Sequence, residues 1–140
     1  MLDLYDARSD SDEGIPASLD TMEPGPILAV LLSSIDVNRI SGYDRIVVLR
    51  AHQRLVSHYT ASMYKNMAAV VDILDDEETR RSDAAEAAAA EVRAALHLTR
   101  RSADAEIGIA LEFAARLPQV HQMLTAGALD LRRARVLLDG

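Results

Sequence analysis

The sequence contains no cysteine and no tryptophan, and it has a single phenylalanine, Phe113. Without thiols there is no disulfide and no thiolate metal ligand, and zinc would need histidine and carboxylate alone. Aromatic residues make up only 4% of the chain, so a core must be assembled from Leu, Val, Ile, Ala and Met. Ala and Leu are strong helix formers, and this composition leans helical. Glycine is sparse. Its six positions (14, 25, 42, 108, 127 and 140) form neither a GxxxxGK loop nor a GxGxxG turn, so no phosphate cradle can be placed. GxSxG and HExxH are also missing. The longest apolar run, Ile27 to Leu32, is far short of a membrane span. The N-terminus is acidic where a secretory signal would be basic. These absences predict a cytoplasmic protein with no membrane partner, no cofactor and no evident small-molecule substrate.

The charge that is present is uneven. Residues 1–26 hold seven acidic residues against Arg8 alone, so six of the seven net negative charges belong to this arm. The rest of the chain is almost neutral. Rich in serine and carrying Pro16, Pro24 and Pro26, the arm lacks the apolar surface needed to offset ordering, and it is expected to be disordered. The domain proper is then residues 27–140.

Apolar spacing across that domain predicts an all-α bundle of about six helices. The first runs from Pro26 to about Asp36, with Leu28, Leu31, Leu32 and Ile35 on one face. The second is long, from about Tyr43 to Leu74. Acids from Asp75 to Glu78 oppose the helix dipole and should end it. The third spans about Asp83 to Leu96, with Ser82 as a potential cap. Thr99 caps a fourth, from Arg100 to about Arg116, which Leu117-Pro118 closes. The fifth runs from Pro118 to Thr125, with Gly127 placed as a C-terminal cap. Asp130 caps the sixth. No alternating β-branched run predicts a sheet.

Two features could carry function. On the long helix, Leu49, Val56, Met63 and Val70 recur every seven residues, with His52, Tyr59, Asn66 and Ile73 three positions further on. A seven-residue repeat keeps one stripe facing one partner, either another helix of this chain or a second copy in a homodimer. The other feature is a helix-turn-helix-like hairpin from Glu91 to Ala103. There Val92 and Leu96 are expected to pack on Leu98 and Ala103, presenting Arg100 and Arg101 to DNA. Arg93 and His97 stand where such motifs favour a small residue and glycine, and a plain helical hairpin fits equally well. Arg132, Arg133 and Arg135 form a second basic group able to meet phosphates, or simply a solvated helix face.

No catalytic residue can be assigned. His52 and His58 lie about 240° apart around a helix and cannot share one ion from one face. The paired acids have no partner visible in the sequence that would shift their protonation.

The second half resembles a known family. Leu117-Pro118, Leu124, Ala126-Gly127, Leu129 and Ala134 are similar to the LPxxxxxLxAGxL pattern of the actinobacterial domain-of-unknown-function family 222, the 13E12 repeat family. Ala51 with Arg54, Ala61, the Glu91 to Leu96 run and Leu98-Thr99 extend the resemblance over about residues 28 to 140. It implies a helical domain of the kind that precedes an HNH endonuclease domain, and hence a DNA-associated module. The HNH residues themselves cannot be placed: the only asparagines are Asn38 and Asn66, both in or beside predicted helices. This chain is therefore expected to be a fragment or shortened member, incomplete at its C-terminal end.

Overall fold

A computed structural model describes residues 14–76 and 80–140. The described residues form six α-helices and no strand: α1 Pro26–Ser33, α2 Gly42–Leu74, α3 Arg81–Leu96, α4 Arg100–Ala115, α5 Pro118–Thr125 and α6 Leu131–Asp139. None of these helices is long and apolar enough to cross a membrane.

Helix boundaries follow local hydrogen bonding. The Ser41 hydroxyl accepts from the Asp44 N–H (3.1 Å) at the start of α2, Thr99 from the Ser102 N–H (3.1 Å) at α4, and Asp130 from the Arg133 N–H (2.8 Å) at α6. Each side chain satisfies an amide that the first helical turn leaves unpaired. Helix α1 stops three residues before Asp36. The Ser33 and Ser34 hydroxyls donate back to the Val30 and Leu31 carbonyls, and Asp36 instead caps a short 3-10 turn, Val37–Arg39. Ser82 is not the cap of α3, which already begins at Arg81; the Arg81 guanidinium reaches Asp72 and Asp75 (2.8 Å each), fastening the start of α3 to the end of α2.

Helix α2, 33 residues long, is the spine. Along its first half, Val47, Val48 and Ala51 close one core with Leu19, Leu28, Leu32 and Ile40. Along its second half, Ala61, Tyr64, Ala68 and Val71 join a larger core filled by Ala84, Ala88 and Val92 of α3, Ala103, Ile107 and Phe113 of α4, and Leu124 and Ala134 beyond. The alanines of α3 are small enough for the helices to approach closely.

The expected disordered arm is corrected in part. Residues 1–13 lie outside the described residues. Ala17–Thr21, however, forms a 3-10 turn, and Leu19 within it is fully buried. The Arg54 guanidinium donates to the Leu19 carbonyl (2.6 Å) and the Met22 carbonyl (3.1 Å), and Arg50 grips the Asp20 carboxylate through two hydrogen bonds. An average over a 26-residue acidic segment hides this apolar anchor, with Ile15 and Met22 beside it, and the two arginines, 30 or more residues away, that hold the segment. The hydrogen bond from Arg50 holds the Asp20 carboxyl below the usual carboxylate range. A depressed carboxyl stabilises the fold at neutral pH, and that help fades as the pH falls into the acid range.

Candidate interaction surface

Helix α2 is apolar on two sides, and only one of them meets the core. Its buried face is Val47, Ala51, Ala61, Tyr64, Ala68 and Val71. The heptad stripe lies on the other side. Leu49 is 64% exposed, Val56 59%, Met63 48% and Ile73 80%; Tyr59 is exposed with them, and Val70 is half-buried. The regular repeat is thus not the seam against this chain's own helices. Single exposed apolar side chains are ordinary, but a row at constant spacing along one helix, here interleaved with the exposed His52 and Asn66, makes this face a candidate interaction site. From Leu49 to Ile73 the row runs for about 36 Å at 1.5 Å per residue.

Toward its C-terminal end the stripe sinks into a groove between α2 and α3. Met63, Asn66, Met67 and Val70 form one wall, and Val92, Ala95 and Leu96 the other, with Glu91 at the rim; the space is about 360 Å³. Leu96, expected to bury in the hairpin, is exposed and helps to make this wall. Two methionines give it a deformable lining.

The hairpin between α3 and α4 turns at His97, whose backbone is left-handed (φ 55°), and the Leu98 N–H closes the turn on the Arg93 carbonyl at 3.1 Å. A left-handed residue after the last helical turn is a common helix stop. Val92 and Ala103 bury on either side of the turn, as expected. Arg100 and Arg101 are exposed in the first turn of α4, but the Arg100 guanidinium lies 3.8 Å from Glu86, and Asp104 lies beside it. On α6, Arg133 faces Asp130 (3.7 Å) and Arg135 faces Glu106 (3.4 Å). Arg132 is exposed on the same helix. The two basic groups therefore sit among carboxylates rather than forming a concentrated positive field.

Several polar contacts could not be anticipated from spacing. His58 on α2 donates from Nδ1 to the Thr125 carbonyl (2.7 Å), and His121 on α5 donates from Nε2 to the Ala61 carbonyl (2.8 Å). A carbonyl only accepts, which assigns the proton to that nitrogen in each ring. The two bonds run in opposite directions and staple α5 to α2. Below them the Tyr64 hydroxyl donates to Glu106 (2.6 Å). Burial, with Glu106 alongside, pushes that hydroxyl far above the ordinary phenol range, so it remains a donor. Each pair is separated by 42 to 67 residues, beyond the reach of any local pattern. Among the described residues no three His, Asp or Glu side chains are grouped closely enough to hold a metal ion.

A family model described as Domain of unknown function (DUF222) matches residues 49–139. No curated protein and no solved structure matches the chain.

Proposed function

This chain belongs to the DUF222 family, whose model covers more than half of it, and on that premise we propose that it is a non-enzymatic helical module that pairs with a second copy of itself through α2. The carrying observation is the heptad stripe Leu49, Val56, Met63 and Val70, whose first three members are exposed away from the core and whose last, Val70, is half-buried at the edge of it. A 3.5-residue apolar period is the pattern of a helix that supercoils against another helix, and each stripe position becomes a knob in the partner's surface. The flanking positions Gln53, Thr60, Ser62 and Ala69 carry no charge.

Val56→Asp with Met63→Asp tests this reading. Both residues are exposed in the single chain, so helix content should be unchanged by circular dichroism. In a symmetric pair each aspartate is buried twice, and desolvation raises the dimer dissociation constant by about 100-fold or more. Sedimentation velocity over a concentration series reads the effect. A parent chain that stays monomeric at every concentration refutes the proposal.

A second reading is the DNA-associated module of an HNH-type protein. Its specific support is the Thr99-capped start of α4, which offers Arg100 and Arg101 to solvent, with Arg132, Arg133 and Arg135 as phosphate contacts. Under this reading a gel shift finds DNA binding that weakens steeply with salt and falls again in Arg100→Ala with Arg101→Ala. Absence of binding at low salt, or indifference to the two alanines, removes it. The carboxylates beside Arg100, Arg133 and Arg135 favour self-association over this alternative.

A further inference from the structure

We propose that the two copies pair with their α2 helices antiparallel, each lodging the Leu49-to-Val56 ridge in the α2–α3 groove of the other; this rests on the self-association reading above. The surface is not uniform along α2. Its first half presents a ridge, with Leu49 and Val56 standing out into solvent. Its second half is the groove walled by Met67, Val92 and Leu96. Turning one copy end over end brings ridge to groove twice, once on each side of the two-fold axis. A surface that is complementary to itself in this way makes a closed pair.

The register follows from the repeat. Leu49 meets the second copy's Ile73, His52 its Val70, Val56 its Asn66, and Tyr59 its Met63. This is the one antiparallel alignment that uses all eight stripe positions, and its axis crosses the stripe at the level of Ala61, which itself faces the core. Any shift by a heptad leaves two positions of each copy unmatched.

Charge selects the same direction. The first half of α2 carries Arg45, Arg50, Arg54 and His52 against Asp44 and the Asp20 that pairs with Arg50, whereas the second half, Lys65 apart, runs into Asp72, Asp75 and Asp76, with Glu91 on the groove rim. Arg81 offsets part of that acidity through Asp72 and Asp75. Antiparallel packing sets the basic half of one copy along the acidic half of the other, with His52 arriving beside Glu91. It also opposes the two helix dipoles. A parallel pair gains a contact between the two Asn66 amides but stacks basic half on basic half and groove on groove.

The cysteine-free chain makes the test direct. In the antiparallel register Ser62, exposed on the flank of the stripe, lies across the axis from Ser62 of the second copy, whereas Val56 is about 15 Å along the helix from its own counterpart. Ser62→Cys should oxidise to a covalent dimer of twice the chain mass, and Val56→Cys should remain a single chain under the same mild oxidation. Each variant is first confirmed to be dimeric by sedimentation. A covalent dimer from Val56→Cys and none from Ser62→Cys overturns the antiparallel arrangement and leaves self-association standing. A dimer by sedimentation that neither cysteine can lock places the contact on another surface and overturns the arrangement. A parent chain that is monomeric by sedimentation overturns the reading beneath it.

Discussion

Replacing Gly127 with alanine should lower the stability of the fold by about 2–4 kcal/mol, a large part of the 5–15 kcal/mol typical of a domain. Two costs combine at this position. Gly127 follows the last turn of α5 with φ at +75°, where a side chain loses about 1 kcal/mol or more. The left-handed turn is needed: the Gly127 N–H reaches the Leu124 carbonyl (3.1 Å) and the Ala128 N–H the Met123 carbonyl (3.0 Å), closing α5 before the chain turns to α6. The second cost is steric. A Cβ on Gly127 would stand 2.9 Å from the Cβ and 3.0 Å from the Cα of Arg54. These atoms belong to the spine helix and cannot swing aside, so α5 must move, at a typical overpacking cost of 1–3 kcal/mol. Arg54 also holds the Leu19 turn, so the displacement should loosen the N-terminal segment as well. Urea unfolding followed by far-ultraviolet circular dichroism checks the loss. A midpoint within error of the parent would mean that neither the left-handed turn nor the close approach to α2 is needed.

Phe113→Ala should cost still more, about 3–5 kcal/mol, the range for deleting a large ring from a packed interior. Phe113 is 2% exposed on α4. Its ring meets Tyr64 of α2 edge-on at 5.5 Å and tilts against His121 of α5 at 5.6 Å, joining three helices at one point. In a chain with one phenylalanine and no tryptophan, the surrounding alanines cannot collapse into the void. His121 would lose the ring that steadies its bond to the Ala61 carbonyl. Thermal and urea unfolding of the variant should show a markedly lower midpoint; Phe113→Leu, which keeps most of the volume, should recover much of the difference. If the alanine and leucine variants unfold alike, the cavity argument is wrong.

Much of the architecture was legible before any coordinates. Pro26, Thr99, Pro118 and Asp130 mark helix starts correctly, Leu117-Pro118 and Gly127 mark stops, and the bounds of α2, α4 and α5 agree to within about one residue. The candidate surface was only half legible. The seven-residue repeat was visible, but not its direction, because α2 has two apolar faces. The face built from Ala51, Ala61, Tyr64, Ala68 and Val71 looks weaker in sequence, being rich in alanine, yet it is the one that packs. Small side chains let α3, α4 and α5 come close, and close packing outweighs side-chain size. The arginine groups were found as residues and the near carboxylates Asp104 and Asp130 with them, but not the ion pairs to Glu86 and Glu106, which lie 14 and 29 positions away.

What the sequence determined alone is most of what is set within a turn or two of helix: period, the majority of caps and stops, and the absence of sheet among the described residues. Those depend on contacts between residues three or four apart, and the order of the amino acids states them directly. Tertiary structure decided which side of α2 is covered, that Leu19 anchors an otherwise polar segment, and that His58 and His121 bind two helices crosswise. These outcomes depend on groups up to 67 residues apart, whose meeting is fixed by how all six helices share one limited volume.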